Sequence, residues 1–225
     1  MAQIYKLHPE NPQTRTIDAI VAELRRGAVM LYPTDTVYAI GCDMQSKRAV
    51  ERVRQIKQFS NNKPLTFLCE SLSNIAHYGH VSDSAYRIMK SLIPGPYTFV
   101  LPTTKLVPKI VMDPKRKTTG IRVPNHQVCL ALLRQLGNPI ISTSANLDAD
   151  TDDMGDAIKM DKLKQKHKIC ALPQVELFDN FDKLVDLIID DGSEPGDRVS
   201  TVLDLTSDEP VIIREGMGEI AFLTA

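Results

Sequence analysis

No C-x-x-C pair, no G-x-x-x-x-G-K-[ST] phosphate loop, no G-x-G-x-x-G turn and no G-x-S-x-G elbow occurs in this 225-residue chain. Each absence removes a class of protein. Four cysteines at positions 42, 69, 129 and 170 are scattered, so neither a disulfide framework nor a zinc site is indicated, and a reducing compartment is expected. The two glycine-rich nucleotide signatures and the serine-hydrolase elbow are missing as sequence marks. No Gly/Ser-rich or Pro-rich linker divides the chain, which points to a single domain over residues 1–225. The opening MAQIYKLHPENPQ has no apolar signal core, and no apolar run approaches a membrane span. A cytoplasmic protein without a membrane partner is the expectation. The net charge of -1 argues against nucleic-acid binding by overall charge, while a local basic surface stays possible. What is present is an ordinary globular composition, 43% hydrophobic and 24% charged, long enough for a well-buried core.

Periodicity supplies the architecture. Ile17, Ile20, Val21 and Leu24 form one helical face, and Gly27 stops it. VMLYP (29–33) reads as a short buried strand. Ser46 caps a second helix with Ala49, Val50, Val53 and Ile56 on one face, ending near Lys57. LTFLC (65–69) is strand-like. Ser82 caps a helix that the PGP at 94–96 terminates. YTFVL (97–101), GIRV (120–123) and PIIS (139–142) read as strands, with a helix over HQVCLALLRQLG between the last two. VDLIID, RVSTVLDL and PVIIRE add three late strands. Helices alternate with strands early and strands cluster late, the pattern of an α/β fold with a mixed sheet. LDADTDDMGD (147–156) and the lysine-rich segment after it read as a surface loop and a charged helix.

Three stretches at strand ends are too polar to be plain turns: PTDTVYAIGCD after the strand at 29–33, STSAN at 142–146, and VST at 199–201. Loops at strand ends of open α/β sheets are where ligands collect. Any one of them alone is better read as a cap or a hydroxyl ladder. Together with Lys57, Lys63, Arg122 and Arg214 they indicate a cleft for an anion. A mid-strand arginine meets either a ligand anion or a neighbouring carboxylate, and position alone does not choose between them. His77, His80 and His126 read as surface or cap residues. Asp190 and Asp191 suit a metal or a strand-end turn equally well. The residues by themselves imply an anion-binding α/β protein with a hydroxyl-lined cleft.

LYPTDTVYAIGCD, KPLTFLC, PGPYTFVL, KTTGIRVP, ISTSAN, STVLDL and IIREG follow one another across residues 31–216. In that order they resemble the YrdC-like family, best known for its L-threonylcarbamoyladenylate synthases. The resemblance implies a single twisted, mixed, open α/β sheet with flanking helices and a large concave basic cleft. It implies an enzyme joining L-threonine, bicarbonate and ATP into threonylcarbamoyl-AMP and pyrophosphate, for the threonylcarbamoyl modification of adenosine in tRNA. Thr36, Arg122, Ser142 and Ser200 resemble the threonine site. Lys57, Lys63, Thr118, Ser144, Asn146 and Arg214 resemble the nucleotide site, with Lys57 and Arg122 nearest the chemistry. Magnesium would arrive with ATP, and no dedicated metal site is implied.

Two positions depart from the family pattern. Phe59 stands where an arginine is expected, and Leu68 where a histidine is expected. These departures, with RKTTGIRVP and YTFVL, bring the chain nearer to the YciO-type branch. They leave as alternatives an enzyme that hydrolyses threonylcarbamoyl-AMP and a nucleotide- or double-stranded-RNA-binding protein without synthase activity.

Overall fold

Apolar residues at period two in the strands and at helical spacing between them build the computed structural model, which describes residues 1–59, 63–145 and 172–221. The chain runs β1 (Gln3–Lys6), α1 (Thr14–Arg25), β2 (Met30–Tyr32), β3 (Ala39–Asp43), α2 (Lys47–Ile56), β4 (Thr66–Leu68), α3 (Leu72–Tyr78) and α4 (Asp83–Leu92). It continues with β5 (Tyr97–Pro102), β6 (Thr118–Arg122), α5 (Gln127–Leu136), β7 (Ile140–Ser144), α6 (Gln174–Phe181), β8 (Leu187–Asp190), β9 (Thr201–Asp204) and β10 (Val211–Arg214). The predicted helix signals act as expected. Ser46 and Ser82 accept hydrogen bonds from the N–H groups of Ala49 and Ala85, and Gly137 closes α5 at a left-handed φ of 74°.

The strands form one ten-stranded sheet in the order β1-β8-β2-β3-β7-β4-β6-β5-β9-β10. It is mixed. β2, β3, β7 and β4 are successively antiparallel, while β8 pairs parallel with both β1 and β2, β4 with β6, and β5 with β9. The expected mixed open sheet with flanking helices is what forms.

The two faces are covered unequally. On one, Ile40, Phe67, Phe99, Ile121, Ile141 and Leu203 pack beneath apolar residues of α2, α3, α4 and α6. On the other, α1 and α5 pack together over Met30, Tyr32, Ala39, Leu68, Ile140 and Ile189. Alternation carries this second face on to Thr66, Thr98, Gly120, Arg122, Ser142, Ser144 and Val202, which line or floor a cleft instead of a core. The site is therefore the half of a sheet face that α1 and α5 leave open.

Four elements differ from the sequence expectation. β1 is an edge strand of four residues, mostly exposed, so it carries little alternation. β3 is buried along its whole length, and the polar residues before it disguised it as a continuing loop. α3 buries only Ile75, and α6 only Leu177 and Phe181, too few to mark a helical face. The 147–156 segment and the lysine-rich residues after it lie outside the described residues. Among those described, no helix is long and apolar enough to cross a membrane.

Phe67 is fully buried under α3, with its ring edge-on to Tyr78 at 5.8 Å between centroids. Phe67→Ala is expected to cost about 3–5 kcal/mol of unfolding free energy in denaturant titration. A loss under about 1 kcal/mol would show that this layer closes over the space.

Candidate active site

The cleft is lined by Thr34, Thr36 and Val37 from the β2–β3 loop, by Phe59 and Lys63, and by strand residues of β4, β5, β6, β7, β9 and β10. Its empty space is ≈ 730 Å³, counting the part open to solvent.

Arg122, at the end of β6, has a side chain only 7% exposed. Its Nη2 donates to Asp35 Oδ1 at 2.6 Å, its Nη1 to Thr36 Oγ1 at 2.9 Å, and its Nε to the Gly95 carbonyl at 3.4 Å. Of the two partners left open by the sequence, the carboxylate within the chain is therefore Asp35. Among the described residues, three of the five guanidinium N–H groups are engaged, which leaves one on each terminal nitrogen. The second Asp35 oxygen is buried, with no hydrogen-bond partner among the described residues. Behind this pair, Cys129 is fully buried, and burial pushes its thiol well up, so it is no nucleophile.

Arg214 reaches the opposite wall. The register of β10 against β9 shifts between Ile212 and Arg214, and such irregularities re-aim a side chain. Its Nε and Nη2 donate to the Ser200 carbonyl at 3.2 and 3.0 Å, and Nη2 also lies 3.4 Å from Ser200 Oγ. Ser200 Oγ in turn lies 2.8 Å from Thr98 Oγ1. On β7, Ser142 Oγ accepts from the Tyr32 hydroxyl at 2.7 Å. Gly120 forms the floor, where a Cβ would sit 2.7 Å from Thr66 Oγ1 and 3.0 Å from Thr98 Cγ2.

Phe59 owes its place to the end of α2. Lys57 is the C-cap, Gln58 is left-handed at φ 52°, and the N–H groups of Gln58 and Phe59 bond back to the carbonyls of Gln55 and Arg54. That is a Schellman motif, which places an apolar residue just past the helix against its last turn. The Phe59 ring packs on the core and also forms cleft wall. The Lys63 ammonium lies 4.1 Å from its centroid, and that of Lys57 5.4 Å. Arg54 ties the far end of the turn down by donating to the carbonyls of Lys63 and Ile110.

Of the residues singled out in the sequence, Thr36, Lys63, Arg122, Ser142, Ser144, Ser200 and Arg214 all line this one cavity. Lys57 is buried behind Phe59 and does not line it. Thr118 shares the cleft face by alternation, but it lies at the far end of β6 opposite Pro102, outside the cavity. Asn146 is outside the described residues. Sequence reasoning missed Tyr32, Asp35, Thr34, Thr66 and Thr98. Asp35 and Thr34 belong to a stretch already marked as polar, whereas Thr66 and Thr98 become visible only through strand pairing. Among the described residues, no group of three or more His, Cys, Asp or Glu side chains could hold a metal.

The family model described as Telomere recombination (Sua5/YciO/YrdC) matches residues 22–169. YciO of Escherichia coli strain K12 is 40% identical over 220 residues, covering 98% of both chains, and its crystal structure superposes with a TM-score of 0.83. A threonylcarbamoyl-AMP synthase of Bos taurus is 32% identical over 86% of this chain and 64% of its own. The crystal structure of P. abyssi Sua5 complexed with L-threonine is 25% identical, with a TM-score of 0.76 over 95% of this chain and 57% of that one. The chain belongs to the Sua5/YciO/YrdC family.

Two expectations follow from the local chemistry. Gln58 holds a left-handed conformation that disfavours a side chain, so Gln58→Gly should raise stability by about 0.5–1 kcal/mol in thermal or denaturant unfolding. No gain would mean that the side chain makes compensating contacts. Beside the cleft, Asp191 faces His126 Nε2 at 3.2 Å, a pair charged only when the imidazole is protonated. Burial pushes the Asp191 carboxyl up, but the adjacent His126 imidazole and hydrogen bonds from the Ser193 side chain and N–H outweigh it and hold the group below the usual carboxylate range. Its stabilisation is therefore full above the unfolded value of about 4 and is lost as pH falls through the depressed folded value. Asp191→Asn should flatten the acid limb of stability against pH, and an unchanged limb would exclude this linkage.

Proposed function

We propose that this protein is a threonylcarbamoyl-AMP synthase-type enzyme with slow turnover, joining L-threonine, bicarbonate and ATP with release of pyrophosphate. The observation that carries the reading is the convergence of Thr36, Arg122, Ser142 and Ser200 with Lys63, Ser144 and Arg214 on one cavity. Relatives named threonylcarbamoyl-AMP synthase, and a Sua5 relative complexed with L-threonine, support it.

The chemistry asks for placement and positive charge more than for covalent help. The amine of threonine takes up carbon dioxide as a carbamate. A carbamate oxygen then attacks the α-phosphorus of ATP, and the bond to the bridging oxygen breaks to release pyrophosphate. The remaining Arg122 N–H groups and the hydroxyls of Thr36 and Ser142 would hold the amino acid. Lys63 and Arg214 would face the triphosphate, which brings its own magnesium. The product would serve the threonylcarbamoyl modification of tRNA.

Slow turnover follows from two wall residues. Phe59 and Leu68 both line the cavity, where the family pattern has a guanidinium and an imidazole. One lost charge contact to a transferring phosphoryl group typically lowers the rate by about a hundredfold. Purified protein with ATP, L-threonine, bicarbonate and magnesium should therefore yield threonylcarbamoyl-AMP and pyrophosphate slowly. Phe59→Arg combined with Leu68→His should raise that rate by about a hundredfold. If neither protein forms product, the synthase reading is wrong.

A further inference from the structure

We infer that Tyr32 is a positioning residue for this cleft: its phenol holds Ser142 as a hydrogen-bond donor aimed at an anionic oxygen of the ligand. The inference rests on the synthase reading, because it concerns the substrate that this cavity would hold.

The argument is one of proton direction. Tyr32 is fully buried, and its hydroxyl makes a single hydrogen bond among the described residues, 2.7 Å long, to Ser142 Oγ. A phenol carries one proton. If Tyr32 accepted from Ser142, its own proton would be buried without an acceptor, an arrangement that costs more than the bond supplies. Tyr32 therefore donates, and the Ser142 oxygen accepts. Burial keeps the phenol protonated, since it pushes the group well up from its ordinary range. Ser142 has one proton of its own, and it is released toward the cavity that this residue lines.

The backbone makes room for the arrangement. Tyr32 lies on β2 and Ser142 on β7, with β3 between them. The β3 residue opposite Ser142 is Gly41, and a Cβ there would sit 2.7 Å from Tyr32 Cε1 and 2.5 Å from the Ile141 carbonyl. The ring crosses the middle strand through the space which that missing Cβ leaves. A bare serine could spend its proton on a neighbour behind it, but one held there by a donating phenol keeps its proton for the cavity. Thr36 is constrained differently: it accepts from Arg122, and because Thr34 Oγ1 spends its proton on the Val37 carbonyl at 2.6 Å, Thr36 donates its own to Thr34 Oγ1 at 3.1 Å. Ser142 is thus the hydroxyl of this wall with a proton to offer an acceptor, either the carboxylate of an amino acid or a phosphate oxygen.

The test is a double-mutant cycle of Tyr32→Phe and Ser142→Ala, with dissociation constants measured by calorimetry for L-threonine and, separately, for ATP with magnesium. Tyr32→Phe keeps the ring and should leave the melting temperature near that of the parent. It should weaken one ligand about five- to tenfold and leave the other unchanged. Added to Ser142→Ala, it should have no further effect, because both changes remove the same oriented donor. Selective loss for threonine assigns the oxygen to a carboxylate, and selective loss for ATP to a phosphate. Additive effects, or an equal loss for both ligands with a lowered melting temperature, would make Tyr32 merely part of the scaffold and overturn the inference. Unchanged affinities in Tyr32→Phe would overturn it alone. A parent chain that binds neither ligand removes the synthase reading and this inference together.

Discussion

A guanidinium buried at the end of a central strand has to be neutralised, and the pairing of Arg122 with Asp35 meets that requirement. Taking both charges out of water costs several kcal/mol per ion, so such a pair is weak evidence for stability by itself. What it does is fix geometry. Arg122 holds Thr36 and the Gly95 carbonyl in addition to Asp35, so one side chain joins the β2–β3 loop, the turn before β5 and the end of β6. The shape of the cleft depends on this junction. The junction also leaves two Arg122 N–H groups without a partner among the described residues, at the edge of the cavity that Arg122 lines.

The architecture was legible wherever an element buries a continuous face. α1, α2 and α5 announced themselves through spacing and caps, and the central strands through apolar runs. β1 and α3 did not, because each places too little in the core to leave a pattern. Recognising residues in order brought most of the pocket into view, including Thr36, Ser142 and Arg214. It did not find Asp35 as the partner of Arg122, because opposite charges 87 positions apart carry no local mark. Thr66 and Thr98 are likewise ordinary strand residues until pairing places them beside Gly120. Thr118 shows the converse: a matching motif picked it out, and it shares the cleft face of the sheet but lies at the end of β6 away from the cavity.

Phe59 shows how a loop residue can serve two layers at once. The end of α2 sets its backbone, the core receives part of its ring, and two ammonium groups approach the rest. An aromatic ring beneath cations changes the character of that corner. Its positive charge rests on flexible lysine stems and is partly answered by the ring, in place of a planar fork that could grip phosphate.

Gly196 imposes a different condition on the opposite side. A Cβ there would fall 1.7 Å from the Thr36 carbonyl, so the segment after β8 meets the β2–β3 loop backbone against backbone. That wall of the cleft has no side chain to exchange at the point of contact, and its contour is inherited with the topology itself. The wall bearing Phe59 is made of side chains and can be rewritten one residue at a time. Substitution is therefore freer at the Phe59 corner than at the point where the two backbones meet, where any side chain larger than hydrogen would push the loop and its Thr36 out of place.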